Sequence, residues 1–367
     1  MSIRTAIFLM AACSSFFLSA CQNQSKQPGT NDGNNQQKSS SISKIRSYPS
    51  YARFFNVSYH DHYKLVEVIN PWDTTAILQR YILYQRGTKR PEPSIKATAV
   101  EIPVKKTGIV YATHVGYLDK LDALQTIKGI SEKQYVKNPT VKKWIDQGKI
   151  VEFGPSHQLN VEQVLSLNPE ILFVAPFQDN KYGKVTDVGV KLGINASYME
   201  NHPLGRAEWI KFMAYFYNKE QLANNYFDSV RTHYNKLATK GRSIATKPTI
   251  FSGKKIGDIW YMPGGNSYKA SFFKDAGASF IWEDENQRTG SVPMDFETVF
   301  NKAGQADYWV LLENYPGDYS YEMLKQEYKP YSEFKAFKNQ QIVFCNTHKR
   351  PYYEVGTLEP NMILADL

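Results

Sequence analysis

Short apolar runs and longer amphipathic stretches alternate along most of the chain, and their spacing predicts its secondary structure. The first regular pattern extends from residue 54 to residue 84, where the runs 64–69 (KLVEVI) and 80–84 (RYILY) alternate apolar and polar side chains. A period of two residues is typical of strands. Asn70 and Pro71 lie between the two runs and favour a turn, so the segment predicts an antiparallel pair of strands.

From residue 108 onwards, strand-like runs are each followed by a helical pattern. Residues 108–112 read as a buried strand that leads directly into a helix with Leu118, Leu121 and Leu124 on one face. A strand followed at once by a helix is the unit from which parallel α/β sheets are built. The unit recurs as a strand at 149–154, a helix at 160–167 capped by Asn160 and ended by Asn168-Pro169, a strand at 170–175, a helix at 185–192 and a strand at 193–198.

The segment 204–240 differs from its surroundings, because it has neither proline nor glycine between Arg206 and Lys240 and its apolar positions fall at helical spacing. This pattern predicts one long helix, or two consecutive helices interrupted near Asn218. Some thirty helical residues at about 1.5 Å each span roughly 50 Å, which exceeds the width of one lobe. We therefore expect this segment to join two lobes as a stiff spine.

After the spine the alternation of strands and helices resumes. Strands are predicted at 248–252, 258–262, 308–312 and 341–345, and helices at 267–276, ended by Gly277, and at 296–303. The predicted fold class is α/β, with two Rossmann-like lobes joined by a single long rigid helix. The predicted boundaries are 51–203 for the N-terminal lobe with its leading β-hairpin, 204–240 for the spanning helix and 241–367 for the C-terminal lobe.

The amino terminus follows the pattern of an export signal, with a basic start at Arg4, an apolar run and small residues before Cys21. Residues 18–21 (LSAC) resemble the bacterial lipobox, in which the cysteine thiol receives a diacylglycerol and becomes the new amino terminus. We therefore expect a lipoprotein signal peptide at 1–20, lipidation of Cys21, and a disordered, lipid-anchored tether at 21–50. The alternative is a plain secretory signal that carries a cysteine by chance.

The composition of the chain narrows the range of ligands and partners that the protein could have. The formal charge of +9 favours an anionic ligand or a position near anionic headgroups. Nucleic acid is not expected as a partner, because the lysines are scattered and no recognised nucleic-acid motif accompanies them. Cys345 is the only cysteine left in the folded body, in an apolar strand-like run, so no intramolecular disulfide can form.

Several blocks of this sequence resemble one family of transport proteins. The blocks are 112–114 (ATH) with the helix after it, 129–130 (GI), 160–172 (NVEQVLSLNPEIL), 275–278 (DAGA), 295–299 (DFETV) and 306–307 (AD), and 204–210 (LGRAEWI) resembles a subfamily signature. Over most of residues 95–365 the chain is similar to the iron-siderophore and cobalamin (class III, helical-backbone) periplasmic substrate-binding proteins of ABC transporters. The resemblance implies a substrate-binding lipoprotein that captures a ferric siderophore or cobalamin between its lobes, delivers it to an ABC permease and ATPase complex, has no resident cofactor and is not an enzyme.

The same resemblance implies how the chain contacts its transporter. In this family one glutamate on each lobe docks into arginine pockets of the permease, and by position these residues resemble Glu162 and Glu297. Two carboxylates held apart on rigid lobes suit a two-point recognition of arginines. The alternative is that each is an ordinary solvated helix glutamate.

The ligand of such a fold lies between the lobes, at loops that leave the carboxyl ends of strands. Aromatic rings there suit planar or chelate ligands, and arginines suit anionic ones. On this basis the candidate ligand-binding residues are His114, His157, Phe177 and Tyr182 in the first lobe and Tyr261, Tyr268, Arg288, Tyr315, His348, Arg350 and Tyr353 in the second.

Other functions remain open at this point. His114, His157, His202 and His348 all follow strands and allow a haem or bare transition-metal-ion binding protein, although no histidine-rich loop is present. A non-transport surface lipoprotein, such as a glycan binder or adhesin, is a further alternative. A hydrolase is disfavoured, because Ser252-Gly253 lacks the first glycine of a nucleophile elbow.

The segment after Cys21 lacks the acidic run that directs some lipoproteins to the cell surface. We therefore expect a monomeric, periplasm-facing protein, anchored to the inner or outer membrane of a Gram-negative-type bacterium. At the other end of the chain, residues 359–367 have a helical pattern that stops at Leu367, whereas similar proteins usually continue for several residues.

Overall fold

The computed structural model describes residues 45–92, 95–179, 182–285 and 288–367. The predicted signal peptide, the lipidation site Cys21 and most of the predicted tether lie outside the described residues. In the described part of the chain no helix is both long enough and apolar enough to cross a bilayer.

An amino-terminal sheet precedes the first lobe and confirms the predicted strand pair. Its strands are β1 (Phe55–Tyr59), β2 (Tyr63–Ile69), β3 (Ile77–Gln85) and β4 (Thr98–Ile102), in that order. The first three are antiparallel, and β4 lies parallel to β3. Buried and half-buried residues alternate along β2, as expected for a strand with one face on the core. The buried side of β2 carries Lys64 beside the valines, an arrangement that requires a buried partner.

The first lobe is a five-stranded parallel sheet with helices on both sides. Its elements are β5 (Thr107–Ile109), α1 (Thr113–Lys120), β6 (Ile127–Ile130), α2 (Pro139–Asp146), β7 (Val151–Glu152), α3 (Val161–Leu167), β8 (Ile171–Val174), α4 (Gly183–Asp187) and β9 (Leu192–Ile194). The strand order is β7-β6-β5-β8-β9. The predicted cap of α3 is confirmed, since Asn160 accepts a hydrogen bond from the amide of Gln163 at 3.0 Å. The predicted helix at 185–192 is shorter, because Gly189 adopts a left-handed conformation (φ +85°).

The spine consists of two helices, α5 (Pro203–Tyr215) and α6 (Glu220–Arg242), which is the interrupted alternative of the sequence prediction. The chain turns at Asn218, which has φ +55° and exchanges side-chain hydrogen bonds with Gln85. Lys211 lies over the ring of Phe227. His202, which precedes α5, contacts Tyr234 in the second half of α6. The two helices therefore run antiparallel, and α6 alone, about 34 Å long, continues towards the second lobe.

The second lobe repeats the α/β arrangement. Its elements are β10 (Thr249–Ser252), β11 (Lys255–Ile256), β12 (Ile259–Pro263), α7 (Tyr268–Asp275), β13 (Ser279–Phe280), β14 (Ser291–Met294), α8 (Phe296–Ala303), β15 (Tyr308–Glu313), α9 (Tyr321–Glu327), α10 (Lys335–Lys338) and β16 (Ile342–Asn346). A parallel sheet has the order β13-β10-β15-β16, and β11, β12 and β14 form a small antiparallel sheet. Stacked rings, including those of Phe251, Trp309 and Phe334, fill the core of this lobe.

The chain returns to the first lobe after β16, through α11 (Tyr352–Val355) and α12 (Pro360–Asp366). We call residues 352–367 the C-terminal segment. Its helix α11 packs on α1, and α12 packs on α6. Leu358 and Leu364 are buried in the same hydrophobic cluster as the first lobe and the spine. The lobes are therefore connected by a second crossing at residues 347–351, in addition to the helical spine.

Residues 45–50, predicted as the end of the tether, are bound to the folded body. Ser47 is buried, and its backbone carbonyl accepts a hydrogen bond from the Tyr215 hydroxyl. The carboxylate of Glu208 on α5 accepts hydrogen bonds from the amides of Ser50, Tyr51 and Ala52. A buried carboxylate needs such donors, and the segment in front of β1 supplies them.

Candidate ligand-binding site

The carboxyl ends of the central strands of both lobes face a cleft that encloses a cavity of about 630 Å³. Ligands of open α/β sheets bind at this position, outside the carboxyl ends of the strands. Residues of the first lobe, of the second lobe and of the second crossing contribute to the cavity. They are Tyr111, Ala112, Thr113, Glu132, Gln134, Tyr135, Lys137, Asn314, Thr347, His348, Arg350, Pro351, Tyr352, Tyr353 and Glu354.

The wall from the first lobe is formed by residues just after β5 and β6. The hydroxyl of Tyr111 lies 3.2 Å from the hydroxyl of the buried Tyr182, which holds the Tyr111 ring at the cavity. Glu132 adopts a left-handed conformation (φ +52°), and its carboxylate accepts hydrogen bonds from the amide and the hydroxyl of Ser156. These contacts give both side chains a defined position before any ligand arrives.

The wall from the second lobe consists of two loops, one after β15 and one after β16, which hydrogen bonds hold together. Asn346 accepts hydrogen bonds from the amides of Tyr315 and His348 and donates to the carbonyl of Tyr315 at 2.9 Å. The Nδ1 atom of His348 lies 3.2 Å from the side-chain oxygen of Asn314. Asn346 therefore ties the two loops together and presents His348 and Asn314 to the cleft.

Two tyrosine rings at the cavity remain largely open to solvent. Tyr135 comes from the first lobe and is 50% exposed, and Tyr353 comes from α11 and is 60% exposed. The neighbouring Tyr352 is more enclosed, and burial raises the pKa of its hydroxyl well above the usual value, with Tyr268 adding to the effect. Exposed tyrosine rings provide apolar contact area together with a polar end, which suits recognition of large planar or chelate ligands.

The cavity is lined by charged side chains of both signs. Lys137, His348 and Arg350 contribute cationic or protonatable groups. Of the two carboxylates, Glu132 is occupied by Ser156 and Glu354 by the backbone amides of Lys137 and Asn138. These hydrogen bonds fix the positions of both carboxylates but leave their negative charges, which formally balance Lys137 and Arg350, and Arg350 also lies 3.9 Å from Asp366.

The structure brings three of the eleven predicted binding residues to the cavity, namely His348, Arg350 and Tyr353. Tyr182 lies behind Tyr111 and supports it. The ring of Tyr268 packs 3.5 Å from the guanidinium carbon of Arg206 on the spine. Tyr268 also lines a second, mainly apolar cavity of about 550 Å³ between the second-lobe sheet and the C-terminal segment.

The remaining predicted residues lie elsewhere. His114 is buried in the first turn of α1, beside Tyr111 and Phe173. Phe177 packs between Tyr182 and Tyr198. His157 is exposed in a turn, Arg288 is exposed in the loop before β14, Tyr261 is exposed on the small antiparallel sheet, and the Tyr315 ring packs on Tyr319.

Sequence reasoning missed several residues that line the cavity, among them Tyr111, Glu132, Tyr135, Lys137, Asn314 and Glu354. Tyr111 had a usable signal, because it immediately follows the apolar run of β5 and parallel strands end at the ligand edge. Glu354 had no such signal, since nothing in its local pattern shows that α11 returns to the first lobe.

The four histidines considered for metal binding lie in separate surroundings. His202 caps α5 and accepts a hydrogen bond from the amide of Leu204, whereas His114, His157 and His348 occupy the positions described above. Among the described residues there is no group of three or more His, Cys, Asp or Glu side chains with the geometry of a metal site.

Glu162 and Glu297 occupy equivalent positions in the two lobes. Each is the second residue of a short helix, α3 or α8, whose preceding Asn160 or Asp295 accepts a backbone hydrogen bond as the cap. Both carboxylates are exposed. The capping holds each helix start rigid, so the two charges are presented in a fixed arrangement on separate lobes.

Comparison with known proteins agrees with this architecture. The sequence model of the periplasmic binding protein family matches residues 110–348. The chain belongs to the periplasmic binding protein family. Members of this family are solute-binding proteins of ABC transporters, which partner a permease and an ATPase and are not enzymes. An uncharacterised lipoprotein of Methanocaldococcus jannaschii is 28% identical over 345 residues, covering 86% of this chain and 80% of that protein.

Solved structures of this family share the fold. A possible iron-binding (periplasmic solute-binding) protein from Staphylococcus epidermidis has a TM-score of 0.56 at 16% identity, covering 72% of this chain and 98% of that chain. The periplasmic haem-binding protein HutB of Vibrio cholerae has a TM-score of 0.56 at 15% identity, covering 71% and 98%. Two-lobed α/β architecture is therefore common to this chain and to both structures, while their ligands are properties of those proteins.

We predict that His114 makes the stability of this periplasmic binding protein depend on pH. Burial lowers the pKa of His114 to about 3, whereas in an unfolded chain it is about 6.5. Protonation therefore favours the unfolded state, and the stabilising contribution is lost as pH falls below the unfolded value. When the pH is lowered from 7.5 to 5, the free energy of unfolding of wild type should therefore fall by about 2 kcal/mol more than that of His114→Leu.

Urea unfolding at several pH values measures this difference. His157→Leu, the same substitution at an exposed histidine, is the matched control. Equal pH slopes for wild type and His114→Leu would contradict the assignment of a buried neutral imidazole.

Proposed function

We propose that this chain is an extracytoplasmic, lipid-anchored substrate-binding protein of an ABC importer that captures an anionic ferric chelate, such as a ferric siderophore, and delivers it to the permease. The observation that carries the proposal is the cavity between the lobes, where Lys137, His348 and Arg350 lie beside exposed tyrosines and the two carboxylates are held by hydrogen-bond donors of the protein itself. Anionic chelates combine negative charge with aromatic or planar surface, so they match this chemistry better than the larger, less charged cobalamin does.

The lipid anchor follows from the lipobox-like sequence that ends at Cys21. It is supported by the relative in Methanocaldococcus jannaschii, which is itself described as a lipoprotein. Acyl chains contribute about 0.8 kcal/mol of membrane affinity for each buried methylene, so two or three chains hold the protein durably at a membrane. The folded body then remains close to the importer that it serves.

Haem is the second candidate ligand. Tyr135, after β6, and Tyr353, on α11, both line the cavity with exposed rings, and such rings suit a flat ligand. The cationic groups beside them suit the two carboxylates of haem. HutB of Vibrio cholerae is described as haem-binding, which adds support for a haem ligand without extending to residue roles.

Titration by tryptophan fluorescence tests the proposal. The purified chain is titrated with ferric siderophores, haem, cyanocobalamin and free Zn²⁺ or Mn²⁺. We expect saturable quenching at sub-micromolar concentration by an anionic ferric chelate and none by the free metal ions. Saturation by haem alone would replace the siderophore with the second candidate, and a flat response to all ligands would overturn the transport function.

Removing one cationic group of the cavity is expected to weaken binding of the ligand identified in this way. A hydrogen bond to a charged group contributes about 1.5–3 kcal/mol, so Lys137→Ala and Arg350→Ala should each raise Kd about 10- to 100-fold. Lys142→Ala removes an exposed lysine of α2 that is outside this cavity and serves as the matched control. An unchanged Kd for both cavity variants would argue against anion recognition at this site.

A further inference from the structure

A buried carboxylate lies where the second crossing between the lobes reaches the first lobe. Glu354 belongs to α11, at the end of the crossing, and is only 4% exposed. Its Oε1 atom accepts hydrogen bonds from the amide of Lys137 at 2.5 Å and from the amide of Asn138 at 3.2 Å. Asn138 is the capping residue of α2, so the carboxylate sits at the amino end of a first-lobe helix, where a negative charge is favoured.

Neighbouring contacts attach the same segment to α1. The Thr113 hydroxyl donates a hydrogen bond to the carbonyl of Tyr353 at 2.8 Å. The carbonyl oxygen of Glu354 lies against Gly116, where an added Cβ would be only 1.9 Å from it. Further along, Glu359 forms an ion pair with Lys120 and accepts a hydrogen bond from Tyr226. The C-terminal segment is therefore bound to the first lobe and the spine over its whole length.

Because of this attachment, the residues that line the cavity are not divided between the two lobes in the way that their order in the chain suggests. His348 and Asn314 belong to loops of the second-lobe sheet, whereas Tyr353 is fastened to the first lobe through its own carbonyl and through Glu354. Lys137 and Tyr353 both line the cavity and are thus linked through one side chain. Movement of one lobe relative to the other must strain the crossing at 347–351 or break the contacts of Glu354.

We propose that Glu354 is a positioning residue that fastens α11 to the first lobe and so keeps Tyr353 and Lys137 at the spacing required to retain the ligand. The inference rests on the proposed function and adds a residue through which the site is assembled. Loss of the carboxylate removes one of the contacts that hold α11, and bound ligand then escapes faster because this wall of the cavity is held less firmly. Association is affected less, since the charged groups that attract the ligand stay in place.

Two substitutions separate this role from simple structural damage. Glu354→Gln keeps an oxygen that accepts both amide hydrogen bonds, whereas Glu354→Ala removes it. We expect Glu354→Ala to increase the dissociation rate of the ferric chelate about 10- to 100-fold. Glu354→Gln should stay within about threefold of wild type, because neutral hydrogen bonds retain most of the constraint. Thr113→Val removes the adjacent hydrogen bond to Tyr353 and should give a smaller increase in the same direction.

Hydrogen exchange of the ligand-free chain provides a readout that does not depend on binding. In Glu354→Ala the amides of Lys137 and Asn138 and the peptides of α1 and α11 should exchange faster, while the peptide of β15 keeps its protection. Glu354→Gln should restore the slow exchange. Unchanged exchange at Lys137 and Asn138 in Glu354→Ala would overturn the proposal, as would faster exchange spread equally over β15.

The two measurements also separate failure of the inference from failure of the proposed function. Faster local exchange with an unchanged dissociation rate would overturn the positioning role while ligand binding itself stands. If the wild-type chain binds none of the ligands, the proposed function fails and the positioning role fails with it, and the exchange data then report only that Glu354 joins the lobes.

Discussion

Replacing Glu162 and Glu297 together with arginine is expected to reduce ligand uptake by cells at least 100-fold while leaving ligand binding to the isolated chain unchanged. The two carboxylates lie at equivalent, exposed positions at the starts of α3 and α8, on separate lobes. If they dock into arginine pockets of the permease, reversal of both charges replaces two attractions with two repulsions. Juxtaposed like charges cost several kcal/mol at an interface, and 100-fold corresponds to about 2.7 kcal/mol.

Uptake of labelled ligand in cells that carry the complete transporter measures this effect. Glu322→Arg is the matched control, because Glu322 is also an exposed second residue of a side-chain-capped helix, α9, in the second lobe. The single variants Glu162→Arg and Glu297→Arg should each give an intermediate loss. Normal uptake by the double variant would refute the docking assignment, and a parallel loss of ligand binding would point to damage of the cavity instead.

Replacing Lys64 with methionine is expected to destabilise the chain by about 3–5 kcal/mol, because it leaves a buried carboxylate without its partner. Lys64 and Glu220 are both essentially inaccessible to solvent, and Nζ of Lys64 lies 2.5 Å from Oε1 of Glu220. The ammonium group also donates to the carbonyl of Tyr215 at 2.9 Å and to the side chain of Asn218 at 3.1 Å. All three donors are thus used at the turn between the spine helices, which explains how β2 accommodates a buried lysine.

Urea unfolding of wild type, Lys64→Met, Glu220→Met and the double variant measures the coupling between the two groups. We expect the double variant to be more stable than the two single changes predict by simple addition, since it removes both buried charges at once. Burial lowers the pKa of Lys64, and the nearby Glu220 opposes this shift. The ammonium group of Lys64 therefore depends on Glu220 to stay charged. A loss below 1 kcal/mol for Lys64→Met would show that water or rearrangement compensates for the missing ammonium group.

Local elements of this fold were predictable because their signals lie within a few residues of each other. The run of β5 leading into α1, the Asn160 cap of α3 and the Ser267 and Gly277 ends of α7 all depend on neighbouring residues. In the same way, the helical spacing of 204–240 identified a spine. Its break at Asn218 depends instead on Gln85 and Lys64, which are more than 130 residues away in the chain. Only packing decides whether such a segment stays one helix or folds into two.

The candidate site also contains some residues that local patterns predicted and others that only the packing of the chain placed. His348, Arg350 and Tyr353 were found because they follow a predicted strand, β16, whose end faces the ligand edge. The candidates of the first lobe were placed by the same rule, yet His114 points into the core and Tyr182 lies behind Tyr111. The direction of a side chain after a strand depends on the neighbouring elements, and no local pattern records it.

By itself the sequence determined the class of this protein: an export pattern with a lipobox-like cysteine, two α/β lobes around a helical spine and a formal charge of +9. These properties follow from composition and from periodicities of two to four residues, which are local. Tertiary structure alone decided that the chain crosses between the lobes a second time, that Glu354 fastens this crossing and that Glu208 binds residues 50–52. Buried carboxylates obtain their partners from distant backbone amides, and such pairings exist only once the chain has folded.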